Sequence, residues 1–374
     1  MSSVSWTGPA GADRVEGKEF QCAKDHRPVR EVAPVIQELR GNAQAVLRRP
    51  SLDGMSGRGT DGDWYLESVL TVIGETLIDE VVSDTASMRA HVGGSPMNVA
   101  VGLARLGHPA QFVGRFGDDE YGRMIQQHLR DNSVPFPVRA DTFPTSVATA
   151  RLDPAGGASY DFQLVWDLPG LADRKDSLLD GTSLLHTGSI ATMLAPGAAD
   201  VLALVTAAHP LVTVSYDPNC RPSIIRDADF AREQAETFVA LADVVKASDE
   251  DLAWLYPDRS PEQTARAWLE TGAAVVVVTR GSKGPWGVCR AGEVAVPAPS
   301  TSVVDTVGAG DSFMAALLGA LVDLELDGAH RRDELRRMNL GQLTGVLQYA
   351  ARAAAITVSR AGANPPSRQE MTQP

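Results

Sequence analysis

Six short β-rich runs, residues 69–73, 111–114, 184–187, 212–216, 244–247 and 274–279, alternate with helical patterns such as 231–241 and 261–271. Strand–helix alternation of this kind predicts an α/β domain with a mostly parallel sheet covered on both faces. Ligands of such sheets collect at the carboxyl ends of the strands, and the glycine motifs of this chain fall at those ends. Two stretches break the alternation. Residues 80–92 and 146–167 show two-residue periodicity without helices, as in Val147-Ala148-Thr149-Ala150-Arg151-Leu152 and Tyr160-Asp161-Phe162.

The patterned part of the chain, about 300 residues, is near the upper size for a single hydrophobic core. Residues 1–66 differ from it: they are rich in Gly, Ser, Arg and Asp, with one modest helical stretch at 32–47. They are too acidic for a transit peptide. The expectation is a disordered extension, or a true start at Met55, ahead of a domain at 67–368. This segment holds nine Lys/Arg and nine Asp/Glu, which leaves 25 against 38 in the rest, so the net charge of −13 belongs to the domain. An acidic surface disfavours nucleic acid as a partner. Cys22, Cys220 and Cys289 have no metal-type spacing and are odd in number, which argues for a reducing cytoplasm. No apolar run approaches the ~20 residues needed to span a membrane.

The most informative stretch is Asp305-Thr306-Val307-Gly308-Ala309-Gly310-Asp311-Ser312-Phe313, which opens an apolar run that reads as a buried helix. Backbone N–H groups at a helix start lack intrahelical partners and carry the positive end of the helix dipole, so the place suits an anion. Gly308 and Gly310 allow close backbone approach, and Ala309 completes a turn of small residues. Asp311 puts a carboxylate at the same point, where it would repel a phosphate. It is tolerable there as a base for a hydroxyl about to attack phosphorus. The plain alternative is a glycine-rich turn capped by Asp. No G-x-x-x-x-G-K-[ST] occurs, and the third glycine of a dinucleotide fingerprint is missing.

A second loop-to-helix transition runs His91-Val92-Gly93-Gly94-Ser95-Pro96-Met97-Asn98-Val99-Ala100, with helical spacing from Asn98 and a stop at Gly107. Gly93 and Gly94 again allow close approach. Asn98 offers both a donor and an acceptor, the pairing that a polyol needs; bonding to loop backbone is the competing role.

Together the two segments resemble the two signatures of the ribokinase-like (pfkB) carbohydrate kinases. The resemblance covers residues 70–366. Between the signatures and around them, Gly74-Glu75-Thr76-Leu77-Ile78-Asp79, Val113-Gly114-Arg115-Phe116-Gly117-Asp118, Asp217-Pro218-Asn219-Cys220-Arg221-Pro222 and Val278-Thr279-Arg280-Gly281-Ser282-Lys283-Gly284 match family landmarks in order. It implies a three-layer α/β fold with a mostly parallel central sheet. It also implies a small β lid, built from the two irregular stretches, that clasps a homodimer. ATP and Mg²⁺ would be the cofactors and a sugar the acceptor, with closure of the lid excluding water.

The same resemblance carries roles to particular residues. Asp311 becomes the general base, and the Gly308, Ala309 and Gly310 amides become donors to the moving phosphoryl group. Asp79, Gly93, Gly94 and Asn98 would bind sugar, with Asp79 ending the first strand. Arg221 would face substrate or pair with Asp217. Ser248 and Asp251 stand where the family has N-x-x-E, which orders Mg²⁺ through water; a solvated helix start is the other reading. Thr279, Gly281, Ser282 and Gly284 would approach the ATP phosphates or ribose, while Lys283 reads as surface. Asp305 and the Val307 backbone match half of a monovalent-cation site. Carbonyls near Thr357, Arg360 and Gly362 would complete it for K⁺, although Pro366 stands where some members have Ser.

Gly93 to Ala100, Asp217-Pro218-Asn219 and Trp166-Asp167 look most like the bacterial fructokinase branch. Ribokinases, 2-keto-3-deoxygluconate kinases and other sugar-acid kinases share most of these residues; a sugar acid would need a cation such as Arg151 or Arg221. A nucleoside kinase stays open, since a few lid aromatics do not exclude a base. A catalytically silent sugar sensor would have lost Asp311 or its glycines. A Rossmann-type oxidoreductase is disfavoured by glycine spacing.

Overall fold

Why the central strands read as near-continuous apolar runs is plain from where they lie. In the computed structural model, Val275–Thr279 (β10) is Val-Val-Val-Val-Thr, and its four valines are all buried because helices cover both faces. The structure describes residues 68–82, 88–152 and 158–373. The expected extension at 1–66, its helical stretch and Met55 lie outside the described residues.

The main sheet has eight strands in the order β12-β11-β10-β9-β8-β7-β1-β4. β1 (Val69–Ile73), β4 (Ala110–Val113), β7 (Thr182–Gly188), β8 (Thr213–Asp217), β9 (Val244–Ser248) and β10 pair in parallel, and these are the six expected runs. β11 (Trp286–Cys289) and β12 (Gly292–Ala295) add an antiparallel edge that the sequence pattern does not announce.

A second sheet of four strands has the order β3-β2-β5-β6, from β2 (Leu77–Val82), β3 (Met88–Gly93), β5 (Val147–Leu152) and β6 (Ala158–Gln163). β2 is antiparallel to β3 and parallel to β5. Asp79 sits on β2 of this sheet, paired with His91 and Ala148. It does not end the first strand as the sequence reading expects. That strand stops at Ile73, and the three residues Gly74-Glu75-Thr76 separate it from β2 in the other sheet.

Helix Ala309–Asp323 is buried on almost every side, from Ser312 to Gly319 and at Leu321. It therefore carries no amphipathic stripe, as befits a helix inside a core. Gly102 lets helix Ser95–Arg105 pack against it: a Cβ there would lie 2.6 Å from the Ala315 methyl. The Ser95–Arg105 helix begins at Ser95 and not at Asn98, because Pro96 fits the first turn where no N–H is needed. Gly107 has φ 87° just past its end, matching the expected stop.

Helix Pro261–Thr271 keeps its expected bounds, and the expected 231–241 helix runs Ala228–Val239 because Asp227 caps it earlier. Among the described residues no helix is long and apolar enough to cross a membrane.

Candidate active site

The loop after β12 reaches the buried helix through Gly308, which has φ 73° and would place a Cβ 2.6 Å from that of Ala363. Only glycine fits both conditions. No side chain caps this helix. The Ala309 N–H is taken by the Thr306 carbonyl at 3.3 Å, against its expected part as a donor to the phosphoryl group, so of the first turn the Gly310 and Asp311 N–H groups are left to face an anion. Asp311 does not cap its own helix either. Its carboxylate accepts the Ser95 hydroxyl at 2.7 Å and the Asn98 amide at 2.8 Å. Two helix starts distant in sequence therefore meet at one carboxylate. Ser95, which the sequence reading passed over, is part of that junction; its signal is its place directly after the glycine pair.

At the other glycine pair, Gly94 turns with φ 117°, and a Cβ there would lie 2.6 Å from the Glu75 carbonyl. A Cβ on Gly93 would lie 2.2 Å from Asp79 Oδ2, so the absent side chain makes room for that carboxylate. Asp79 is exposed. Surrounding protein raises its pKa, while His91 and Arg221 pull it down. Glu75 is 6 % exposed, and burial pushes it up to about 7 against the opposing pull of Ser189, the Ala191 N–H and Arg221. Its Oε2 accepts the Ala191 N–H at 3.1 Å.

Arg221 is exposed and donates to the Asn219 side chain and to the Asn219 and Cys220 carbonyls. It does not pair with Asp217. The partner of Asp217 is Lys246 on the neighbouring strand, with Nζ 2.7 Å from Oδ2 and both side chains buried.

Ser248 and Asp251 cap the helix Asp249–Leu255 reciprocally. The Ser248 hydroxyl and N–H both donate to Asp251 Oδ2, and the Cys220 N–H donates to Oδ1 at 2.8 Å. Asp251 therefore ties the Asp217-Pro218-Asn219-Cys220-Arg221 loop to the end of β9. Thr279 stands beside Ser248 on β10. Gly281, Ser282 and Lys283 are exposed just beyond it. Gly284 is different: it is buried with φ 79°, and a Cβ would lie 2.1 Å from the Val296 carbonyl, so it serves a backbone crossing. Val303, Val304 and Val307 are exposed beside the glycine turn, an apolar surface that the sequence reading did not single out.

Asp305 accepts the Val307 N–H at 3.0 Å and the Gly362 N–H at 2.8 Å, and these bonds hold its carboxyl below the usual range. Val358 O accepts the Val304 and Asp305 N–H groups. The structure thus joins Asp305, Val307 and Gly362. The Thr357 hydroxyl is taken by Ser312 and Ala353, and the Arg360 side chain pairs with Glu370. Any cation here would be held by backbone carbonyls.

The sequence signature of the pfkB family carbohydrate kinases matches residues 67–370. A fructokinase of Rhizobium leguminosarum bv. trifolii is 34% identical over 255 residues, which is 66% of this chain and 78% of that protein. The crystal structure of fructokinase with bound ATP from Xylella fastidiosa superposes with a TM-score of 0.74 at 27% identity, covering 82% of this chain and 97% of that one. A fructokinase double mutant from Vibrio cholerae O395, bound to fructose, ADP and potassium ion, gives a TM-score of 0.65 at 26% identity over 79% of this chain and 94% of that one. The fold is ribokinase-like and the activity is that of a sugar kinase: the chain belongs to the pfkB family of carbohydrate kinases.

Proposed function

We propose that this protein transfers the γ-phosphoryl group of ATP to D-fructose, giving fructose 6-phosphate. The observation that carries the chemistry is the Asp311 carboxylate, held by Ser95 and Asn98 at the start of an uncapped helix. The sugar hydroxyl gives its proton to Asp311 as its oxygen bonds to phosphorus. The bond from that phosphorus to the ADP oxygen breaks, and the first-turn N–H groups take up the shifting charge.

Fructose as acceptor is supported by the names of the curated relatives. The charge of the cleft supports a neutral sugar over a sugar acid. Asp79 and Glu75 both lie in the field of Arg221, with His91 acting on Asp79 as well, so two carboxylates already compete for the cations a substrate carboxylate would need.

Mg²⁺ fits the acidic side of the site. Asp217, Asp251 and Asp311 all act on the one ammonium of Lys246. Among the described residues no set of three side chains could hold a metal directly. A hydrated ion held through water and phosphate oxygens suits Mg²⁺, which gives up its waters reluctantly. When bound it neutralises phosphate charge. K⁺ at the Asp305–Gly362 junction belongs to the same reading, as does the assignment of the 67–368 domain with lid segments at 80–92 and 146–167. The second sheet acts as that lid, and its exposed Met88 and Tyr160 would meet a second copy in a homodimer. The buried free thiols of Cys220 and Cys289 accord with a cytoplasmic setting.

The test is a coupled assay for ADP release with fructose, ribose, 2-keto-3-deoxygluconate and a nucleoside panel, each with K⁺ or Na⁺. The highest kcat/KM is expected with fructose and K⁺. A higher value for a sugar acid or a nucleoside would replace the substrate assignment.

A further inference from the structure

Lys246 is a buried charged group beside the candidate site to which neither the sequence motifs nor the phosphoryl-transfer scheme gives a part. It lies on β9 with 3 % of its surface exposed. Its one hydrogen bond among the described residues goes to Asp217. An ammonium carries three N–H donors, so most of its bonding capacity is unused in a place where water is scarce.

Its position adds the second fact. A Cβ built on Gly310 would meet a single neighbour, Lys246 Nζ, at 3.3 Å. The ammonium is therefore packed against the bare side of the turn that opens towards the anion site. Asp217, Asp251 and Asp311 act on it together and keep it charged despite its burial. A buried ion pair kept only to join two strands has little advantage over a packed apolar pair. A charge this close to Asp311 has another use.

We propose that Lys246 is a catalytic residue whose ammonium donates hydrogen bonds to the phosphoryl group as it passes from ATP to the sugar. The inference rests on the reading of residues 308–311 as the phosphoryl site. The hydroxyl proton still goes to Asp311, the phosphorus–sugar oxygen bond forms and the phosphorus–ADP oxygen bond breaks. Lys246 keeps its protons throughout. Its charge offsets the negative charge that Asp311 brings beside the phosphate, which no backbone amide can do to the same degree.

Lys246→Met alone would leave the Asp217 carboxylate buried without its partner. Two other variants avoid this. Lys246→Gln keeps a donor towards Asp217, and Asp217→Asn with Lys246→Met removes both charges at once. Each is measured for melting temperature, for ADP and fructose affinity by calorimetry, and for kcat. A fourth reading is the tightening of ADP by aluminium fluoride, which imitates the moving phosphoryl group.

Variants that melt as cooperatively as the parent and bind ADP and fructose within about threefold are expected to lose about 100- to 1000-fold in kcat. They are also expected to lose the aluminium fluoride tightening. A folded variant of either kind with kcat within about tenfold of the parent, or with that tightening intact, overturns the proposal and leaves the lysine as a clamp between β8 and β9. Asp311→Asn is run alongside. Normal turnover there removes the base assignment, whereas normal turnover in the lysine variants removes only this inference.

Discussion

Asn98 donates its side-chain amide to the Asp311 carboxylate across 213 residues of sequence, at 2.8 Å. One helix start thereby aims the carboxylate of another. Ser95 adds a second donor on the other oxygen. The carboxylate proposed as the base is thus orientated by groups that directly follow the Gly93-Gly94 pair, and under that proposal sugar contact and base alignment are coupled through a single turn of helix.

Asp311→Asn keeps the shape and the contact to Ser95 but cannot take a proton. Its kcat should fall by about 1000-fold or more, with ADP and fructose affinity changed little. Asn98→Ala should fall by a smaller factor, about 10- to 100-fold, because the base remains but its aim is lost. Steady-state kinetics with calorimetric binding checks both, and near-normal kcat in Asp311→Asn would end the assignment of a base here.

The fold was largely legible because the central strands are buried on both faces and so are short runs rich in apolar and β-branched residues. What failed is instructive. β11 and β12 are four residues each, joined through Arg290-Ala291 with no marked turn pair, and periodicity has little to work on at that length. Asp79 was misplaced because Leu70 to Ile73 and Leu77 to Ile78 are separated by three residues, and nothing in that spacing says the chain changes sheets. Arg221 seemed a natural partner for Asp217 by proximity in sequence. The actual partner, Lys246, comes from the adjacent strand, and pairings between strands cannot be read from local pattern. The glycine turn into the Ala309–Asp323 helix was legible for the opposite reason: Gly308 to Ser312 are contiguous in sequence.

Gly308 and Gly310 should respond in opposite ways to alanine. At Gly308 the positive φ and the 2.6 Å approach to Ala363 predict a loss of about 1–3 kcal/mol in stability. Gly310 lies in ordinary helical conformation, so alanine there should be neutral or stabilising by up to about 1 kcal/mol. Its methyl would nevertheless intrude between the turn and Lys246, and kcat should drop at least about tenfold. Melting curves and kcat together decide; a Gly310→Ala protein with full turnover would show that the turn tolerates a side chain where the phosphoryl group is expected.

Glu75 gives the fold a pH dependence whose sign can be worked out. An ordinary glutamate titrates near 4.5 and Glu75 near 7 because it is buried. Between those values the folded state holds the extra proton, so stability falls as pH rises from 4.5 to about 7. Above that the full penalty applies, on the order of 3 kcal/mol. Asp217, pushed up to about 6, slopes the same way. His186, pushed down to about 3 by burial, slopes the other way, losing stability as pH falls from 6.5. The difference between the parent and Glu75→Gln isolates one group. Urea unfolding should show the variant gaining on the parent from pH 5 to pH 8, and a constant difference across that range would mean that the fold does not raise the pKa of Glu75.

If Asp79 and Glu75 line the sugar cleft as proposed, they bear on substrate choice. Asp79 lies against Gly93 and feels Arg221, as does Glu75. Asp79→Asn removes an acceptor for sugar hydroxyls, so the KM for fructose should rise about 100-fold while the KM for ATP holds. The same change removes a negative charge near the position of a substrate carboxylate. At separations of several ångströms in a partly solvated cleft, that is worth about 1–2 kcal/mol. The preference for fructose over 2-keto-3-deoxygluconate should therefore shrink by about tenfold or more beyond the loss on fructose itself. Arg221→Gln should do the reverse, weakening the sugar acid further by exposing it to both carboxylates. If the two variants changed kcat/KM for neutral and anionic sugars in parallel, the charge of this cleft would have no part in selecting the acceptor, and specificity would rest on shape alone.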